Sequence, residues 1–405
     1  MAETRREVLP QLEPWRRLAM LVLVALATAC RSAAVAGESP SFSAPPPMPR
    51  DVESKRVVLS AAGDILIHQG ISEAASRNAG GAGSGFGGRY DFRPLFDEVR
   101  PLLSDSHQAL CHMEVPISRG NADLSYFPRF RVPNEIGAAL AYAGFDACTT
   151  ASNHSIDQGP DGVAATLEAL DTAQLAHAGI GRTPEEASSP VLLSAGGIRI
   201  GVVSFTFGLN GLPLPPDKPW MVNLIDERRV LGQAQVARDA GADLVVVSMH
   251  WGTEFVATPN VQQTSLAQRL LASPLVDLIL GHHAHVVQPI GKVGDEFVVY
   301  GMGNFISRQS ARCCPAATQD GVIVHLHIGR TPTGARVAAI TYTPTWVEPG
   351  TFRIRPVARA LDDRSTPADH LDDLTLSWQR TTSAIDALGA DEFGVRPSAL
   401  PQGTG

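Results

Sequence analysis

The feature that most constrains this chain is a junction it repeats. A short apolar run closes on a carboxylate, amide or imidazole side chain. Val57–Ala62 leads to Asp64 and His68, Gln108–Met113 to Glu114, and Asp146–Ala151 to Asn153 and His154. Leu244–Met249 leads to His250, and Val276–Leu280 to His283 and His285. Runs of this length and composition are strands buried on both faces. Helical patterns separate them: Asn134–Ala143, with Asn134 placed to cap and Gly144 to end it; about 162–175, with Val163, Leu167 and Leu170 on one stripe; Asp226–Asp239; and Val261–Leu271. The later stretches Phe297–Tyr300, Val322–Ile328 and Val337–Tyr342 have fewer helices between them, which predicts an antiparallel part. The alternation predicts an α/β fold with largely parallel strands. Ligand sites in such folds collect at strand carboxyl ends, where these polar residues stand.

The flanks differ from this body. Arg5, Arg6, Arg16 and Arg17 precede an apolar run, Leu18–Ala29, too short to span a bilayer comfortably and suited to the core of a signal peptide. It ends in Ala27-Thr28-Ala29-Cys30. Small residues before a cysteine predict a lipoprotein cleavage site with Cys30 lipidated; the alternative is plain cleavage near Ala29 or after Ala36. Either way residues 1–30 predict export to the cell envelope. Residues 31–55, rich in Ser, Ala, Pro and Glu, predict a flexible linker. The catalytic domain is expected over 56–360, followed by a C-terminal extension, 361–405, partly disordered from about Arg396, with one helix over Leu371–Leu388. Net charge is −8, without the basic stripe of a general nucleic-acid binder. Cys111 and Cys148 read as buried thiols. Cys313 and Cys314 sit in a loop, and no cysteine spacing matches a zinc motif. In an oxidising compartment a disulfide is open to any pair.

The junction residues are nitrogen and oxygen donors suited to Zn²⁺, Mn²⁺ or Fe²⁺. Gly281-His282-His283-Ala284-His285 can aim two imidazoles at one site if the loop turns there. In Ser152-Asn153-His154-Ser155-Ile156-Asp157 an amide oxygen can coordinate while the neighbouring imidazole faces substrate. His325 and His327 share one strand face and read as solvated; His107, His177 and His370 carry no expected role.

Asn153-His154 and His283-Ala284-His285 resemble the Asn-His and His-x-His motifs of calcineurin-like metallophosphoesterases. The wider wording resembles the CapA, or poly-γ-glutamate capsule, family. It is carried by Ala62-Gly63-Asp64-Ile65-Leu66, Met113-Glu114-Val115-Pro116-Ile117, Asn153 through Gly159, Gly179-Ile180-Gly181-Arg182, His250-Trp251-Gly252-Thr253-Glu254-Phe255, Gly281 through His285, and Tyr300-Gly301-Met302-Gly303-Asn304-Phe305. These phrases cover about residues 57–310. The chain departs from the family at His112-Met113-Glu114, where Asn-Leu-Glu is usual, so His112 is either a substitute polar group or a neutral change. The phosphoesterase Asp-x-His pair is absent: His68 lies four places after Asp64, and its role as a ligand stays open.

The resemblance implies a metallophosphoesterase-like sandwich of two mixed β-sheets flanked by helices, holding two divalent metal ions, Mn, Zn or Fe. Asp64 and His285 would hold one, Asn153, His250 and His283 the other, with Glu114 bridging. Bound hydroxide would be the nucleophile. His154 would protonate the leaving group or stabilise developing charge. Asp157 either orients His154 or marks a helix start; Glu254 either orients His250 or faces substrate. Arg131 and Arg182 are candidate contacts to an anionic substrate. The implied activity is hydrolysis of poly-γ-glutamate or a related anionic envelope polymer, with a phosphoester as the other substrate class. The competing expectation is a non-catalytic partner of capsule synthase components that holds the polymer. No Gly-x-x-x-x-Gly-Lys-Ser/Thr occurs, so the chain lacks the phosphate-cradling loop needed to activate glutamate with ATP.

Overall fold

A computed structural model describes residues 57–80 and 89–398. The expected signal segment, Cys30 and the linker lie outside the described residues. The first strands are β1 (Val57–Ile65), β2 (Gln108–Met113), β3 (Ala147–Thr149) and β4 (Ala176–Ala178). Then come β5 (Val191–Ala195), β6 (Ile198–Thr206), β7 (Leu244–His250), β8 (Leu278–His282), β9 (Ile290–Val293) and β10 (Glu296–Val299). The chain closes with β11 (Asn304–Ile306), β12 (Asp320–Thr331), β13 (Gly334–Val347), β14 (Ile354–Pro356) and β15 (Arg396–Pro397). The helices are α1 (Gln69–Asn78), α2 (Arg93–Phe96), α3 (Arg100–Ser104), α4 (Glu135–Ala143), α5 (Gly159–Thr172), α6 (Pro184–Ser188), α7 (Glu227–Asp239), α8 (Val261–Leu271), α9 (Val357–Asp362) and α10 (Ala368–Asp386).

Two mixed sheets result. One runs β14-β13-β12-β1-β2-β3-β4, with β11 paired to β1 and β15 to β13; the other runs β5-β6-β7-β8-β10-β9. β1, β2, β3 and β4 are parallel neighbours, as are β6, β7 and β8. β12, β13 and β14 form the expected antiparallel part.

Alternation along the central strands sorts their side chains into layers. Leu59 and Ala61 of β1 meet Ile200 and Val202 of β6 and Leu244 and Val246 of β7 in the core between the sheets. Val245 and Val247 turn the other way, onto Val230 of α7 and Leu266 of α8. Ala62 and Ile65 of β1 face Ile71 of α1 and Leu140 of α4. Each central strand is therefore buried on both faces, which is why it is apolar throughout. Gly144 ends α4 in a left-handed conformation, as expected, but the Asn134 side chain makes no capping bond. Asp226 does cap α7, accepting from the Arg229 N–H.

Several expectations need correction. Cys111 and Cys148 are joined as a disulfide, because parallel pairing of β2 and β3 sets them side by side. The fold does not end at 360. α10 packs against Trp346 through Leu374, and Arg380 makes a two-pronged bond to the buried Asp320 (2.6 and 2.9 Å). Arg396 and Pro397 pair with β13 rather than trailing off. His325 is buried, not solvated: its Nδ1 bonds Ser60 Oγ at 2.7 Å and its Nε2 bonds Thr343 Oγ1 at 3.1 Å. No helix among the described residues is long and apolar enough to cross a membrane.

Burial, with a smaller contribution from His327, lowers the His325 pKa from 6.5 to about 4. In the unfolded chain this imidazole gains a proton as pH falls through 6.5, whereas the folded protein resists until about pH 4. Stability is therefore complete above 6.5 and declines below it, by about 3 kcal/mol at full effect. Urea unfolding of the His325→Gln variant should lose much of that slope between pH 6.5 and 4. An unchanged slope would assign the acid sensitivity to other groups.

Candidate metal centre

The carboxyl ends of the parallel strands from both sheets meet at one pocket. β1 delivers Asp64, β2 runs into Glu114, the turn after β3 carries Asn153 and His154, β7 ends on His250, and β8 ends on His282. The next residues, His283 and His285, have φ of +86° and +55°. Such left-handed backbone is unusual for histidine and here turns both imidazoles toward the pocket side of the loop.

Asp64 is fully buried and ties the sheets together. Its Oδ1 accepts from His282 Nδ1 at 3.1 Å, and its Oδ2 accepts from the His283 backbone N–H at 3.0 Å. His285 Nδ1 lies 3.3 Å from Oδ2 and 3.0 Å from Asn304 Oδ1. The Asn304 amide is itself set by donating from Nδ2 to the Thr318 carbonyl at 2.9 Å. This leaves His285 Nε2 facing Glu114, with Oε1 at 3.7 Å. Across the pocket, His250 Nε2 is 2.9 Å from Asn153 Oδ1, and the His250 and His283 rings are 4.7 Å apart.

The electrostatics are those of a crowded dry cluster. Burial works to raise the Asp64 pKa, but His282 and His285 outweigh it and hold the carboxyl well below its usual range. Burial pushes Glu114 well above its usual value; the charge of His285 opposes this and that of Asp64 adds to it. Burial also opposes charging of His285, yet Glu114 and Asp64 overcome it and raise its pKa to about 9. His250 and His112 are driven well down by burial, and His283 to about 3, so these rings are neutral.

The donor set fits divalent cations. Glu114 is buried, and neither of its carboxylate oxygens has a hydrogen-bond partner; His283 Nδ1 is in the same state. Buried polar atoms are ordinarily satisfied, and buried carboxylates are paired or coordinate metal. Three groups of donor atoms, each within 4.8 Å of one another, are available: Asp64, Glu114 and His285; Asp64, His112 and His250; and Glu254, His283 and His285. The six expected donors, Asp64, Glu114, Asn153, His250, His283 and His285, are thus brought together.

Other expected residues fall out differently. His154 Nδ1 bonds Asp157 Oδ2 at 2.7 Å, and the same oxygen accepts from the Phe130 N–H at 2.8 Å. Asp157 therefore orients His154; α5 starts two residues later. Glu254 stands with His283 and His285 rather than behind His250. His68 joins none of the three groups, and its Nδ1 accepts from the Arg308 N–H at 3.3 Å. Arg182 is engaged by Glu186 and Asp171, and Arg131 lies 3.7 Å from Asp123 and 3.9 Å from Asp161. Both guanidiniums thus lie beside acids of the protein. Sequence reasoning missed His282, Asn304 and Phe207. The first two stand inside phrases already singled out, while Phe207, whose ring packs 4.5 Å from that of His283, carries no local signal.

Fold and site define a two-sheet α/β protein with a buried cluster of carboxylates, imidazoles and an amide at the strand carboxyl ends. The chain belongs to the family described as bacterial capsule synthesis protein PGA_cap, which matches residues 58–309. It is similar to the capsule biosynthesis protein CapA of Bacillus anthracis, with 26% identity over 76% of this chain and 72% of that protein. It is also similar to the PGA biosynthesis protein CapA of Bacillus subtilis, with 26% identity over 79% of this chain and 82% of that protein. Among solved structures, the calcineurin-like phosphoesterase YfkN of Bacillus subtilis overlays with a TM-score of 0.43 and 12% identity, covering 84% of this chain and 99% of that one.

A buried carboxylate that makes no hydrogen bond, with His285 Nε2 at 3.7 Å as its counter-charge, weighs on the metal-free fold. Glu114→Gln should therefore raise the stability of chelator-treated protein at pH 7. The same change should reduce the stabilisation that added Mn²⁺ or Zn²⁺ gives to the wild type. Thermal unfolding with and without chelator reads both effects. A variant less stable than wild type in chelator would mean that the pairing with His285 outweighs the burial of the charge.

Proposed function

We propose that this chain is a metal-dependent hydrolase of the cell envelope that acts on poly-γ-glutamate or a related anionic polymer. The observation that carries the proposal is the buried Glu114 carboxylate, with neither oxygen hydrogen-bonded, beside Asp64 and His285. Asp64, Glu114 and His285 would hold one cation, and Asn153, His250 and His283 a second. When bound, such cations polarise the scissile group and acidify water towards neutrality.

The chain's own residues supply the rest. Asp157 holds the ring of His154 through Nδ1, so Nε2 is the atom through which a proton passes to the leaving group. Phe207 packs on His283 and Phe130 on His154, restricting water around both imidazoles. The polymer is assigned from the family and from the name PGA biosynthesis protein borne by the Bacillus subtilis relative. With a net charge of −8, long-range attraction works against a polyanion, so binding would depend on the cations themselves.

Metal analysis of purified wild type and Asp64→Ala is the first test, with loss of metal expected in the variant. The second is cleavage of poly-γ-glutamate, with a phosphodiester as comparison. His154→Ala should lower kcat by about 10²–10⁴-fold while leaving metal content unchanged. Equal metal in wild type and Asp64→Ala would end the metal reading. Metal-loaded protein that cleaves neither substrate would instead favour a polymer-holding role in capsule assembly.

The same proposal puts the chain outside the cytoplasm, anchored by lipid on Cys30, where capsule synthase components would be its neighbours. Membrane fractionation should recover the wild type in the membrane and release Cys30→Ser. Wild type found only in the soluble fraction would dismiss the anchor.

A further inference from the structure

A chain of hydrogen bonds behind the pocket has no place in the chemistry above. Ser248 Oγ donates to Thr149 Oγ1 at 3.1 Å, and Thr149 Oγ1 donates its one proton to the Cys111 carbonyl at 3.3 Å. The Thr149 oxygen is left with lone pairs only. His112 Nδ1 lies 2.8 Å from it and must therefore be the N–H donor. His112 is fully buried and both its nitrogens face neutral partners, so the ring carries a single proton; its Nε2 bears a lone pair, and that nitrogen lies 3.0 Å from His250 Nδ1. His250 Nδ1 must then carry the proton, which leaves a lone pair on His250 Nε2. That lone pair faces Asn153 Oδ1 at 2.9 Å, and the Asn153 amide is turned this way round by its Nδ2 donating to Asn210 Oδ1 at 3.2 Å. Two acceptors at hydrogen-bonding distance with no proton between them call for a cation.

We propose that His112 is a positioning residue that sets the tautomer of His250, presenting His250 Nε2 and Asn153 Oδ1 together as donors to a divalent cation. This rests on the metal reading above. His112 is not itself a ligand, because both its nitrogens are engaged, one by Thr149 and one by His250. Its ring is held in place by stacking on His282, with centroids 3.9 Å apart and planes at 17°. The stack links His112 to the residue that bonds Asp64, so the two halves of the pocket share one support.

The variant His112→Phe keeps the ring and its stack but removes both hydrogen bonds. His112→Gln restores an acceptor for the His250 Nδ1–H. Long-range ¹H–¹⁵N spectra of histidine-labelled, metal-free protein distinguish the two ring tautomers directly. His250 should be the Nδ1–H form in wild type and in His112→Gln, and should shift to the Nε2–H form, donating to Asn153, in His112→Phe. Calorimetric titration with Zn²⁺ should show about 10–100-fold weaker binding for His112→Phe, as for other partners behind metal-ligating histidines, with His112→Gln recovering most of it. An Nε2–H His250 in the metal-free wild type overturns the inference even if His112→Phe does not fold. So does a zinc-induced ¹⁵N shift at His112 in place of His250, or equal zinc affinity in wild type and His112→Phe. If the wild type takes up no Zn²⁺ at all, the metal reading fails, while the spectra still decide whether His112 sets the tautomer.

Discussion

Everything at the pocket hangs on a carboxylate that water cannot reach. Asp64 ends β1 in one sheet and accepts hydrogen bonds from His282 and the His283 backbone, which belong to the other. A buried carboxylate is costly unless it is hydrogen-bonded to charged or polar donors, so the two sheets can close only with these donors in place. The same bonds hold the loop after β8 in the left-handed turns that let His283 and His285 serve one site. Backbone strain of this kind costs on the order of 1–3 kcal/mol per residue and persists where surrounding bonds over-determine it.

Close backbone approach is the second condition. A side chain on Gly63 would put its Cβ 2.1 Å from the Gly303 carbonyl oxygen, and one on Gly281 would put it 1.8 Å from that of Tyr300. Both distances are forbidden, so glycine is required where β1 passes the residues before β11 and where β8 passes the residue after β10. Each of these glycines directly precedes a residue of the site. The requirement for tight packing and the requirement for donors at the strand end therefore appear in the sequence as one short phrase, Gly-Asp in the first case and Gly-His-His in the second.

This explains what could be read in advance. β2 and α8 lie within their expected limits, and β1, β7 and β8 within a few residues of them, because a strand buried on both faces needs an unbroken apolar run and an amphipathic helix a periodic one. The donors were visible because each follows such a run. β4 and β11, at three residues each, were not visible: strands this short exist through their neighbours rather than through their own pattern. His325 looked solvated because alternation along β12 shows which residues share a face but not that Ser60, 265 positions earlier, waits on that face as a partner. The Cys111–Cys148 link was hidden likewise, since it depends on the register of β2 against β3. Residues 361–398 lacked the strand-helix alternation, yet Arg380 binds them to the sheet by neutralising a buried acid that no local pattern reveals.

Two of the histidines at the pocket show how partners divide the work of one residue type. His154 gives Nδ1 to a carboxylate, Asp157, which is fixed in turn by the Phe130 N–H. A carboxylate at Nδ1 fixes the ring and its orientation, which in the proposed chemistry leaves Nε2 for the leaving group. His250 gives Nδ1 to a neutral imidazole, His112, inside a region that keeps both rings uncharged. No compensation is offered for a proton at Nε2, so that nitrogen is left as a permanent lone pair. Placing an anion behind one histidine and a neutral acceptor behind the other thus separates a proton carrier from a ligand. Exchanging the two partners would be expected to cost both roles, even though every ring would still face the same cavity.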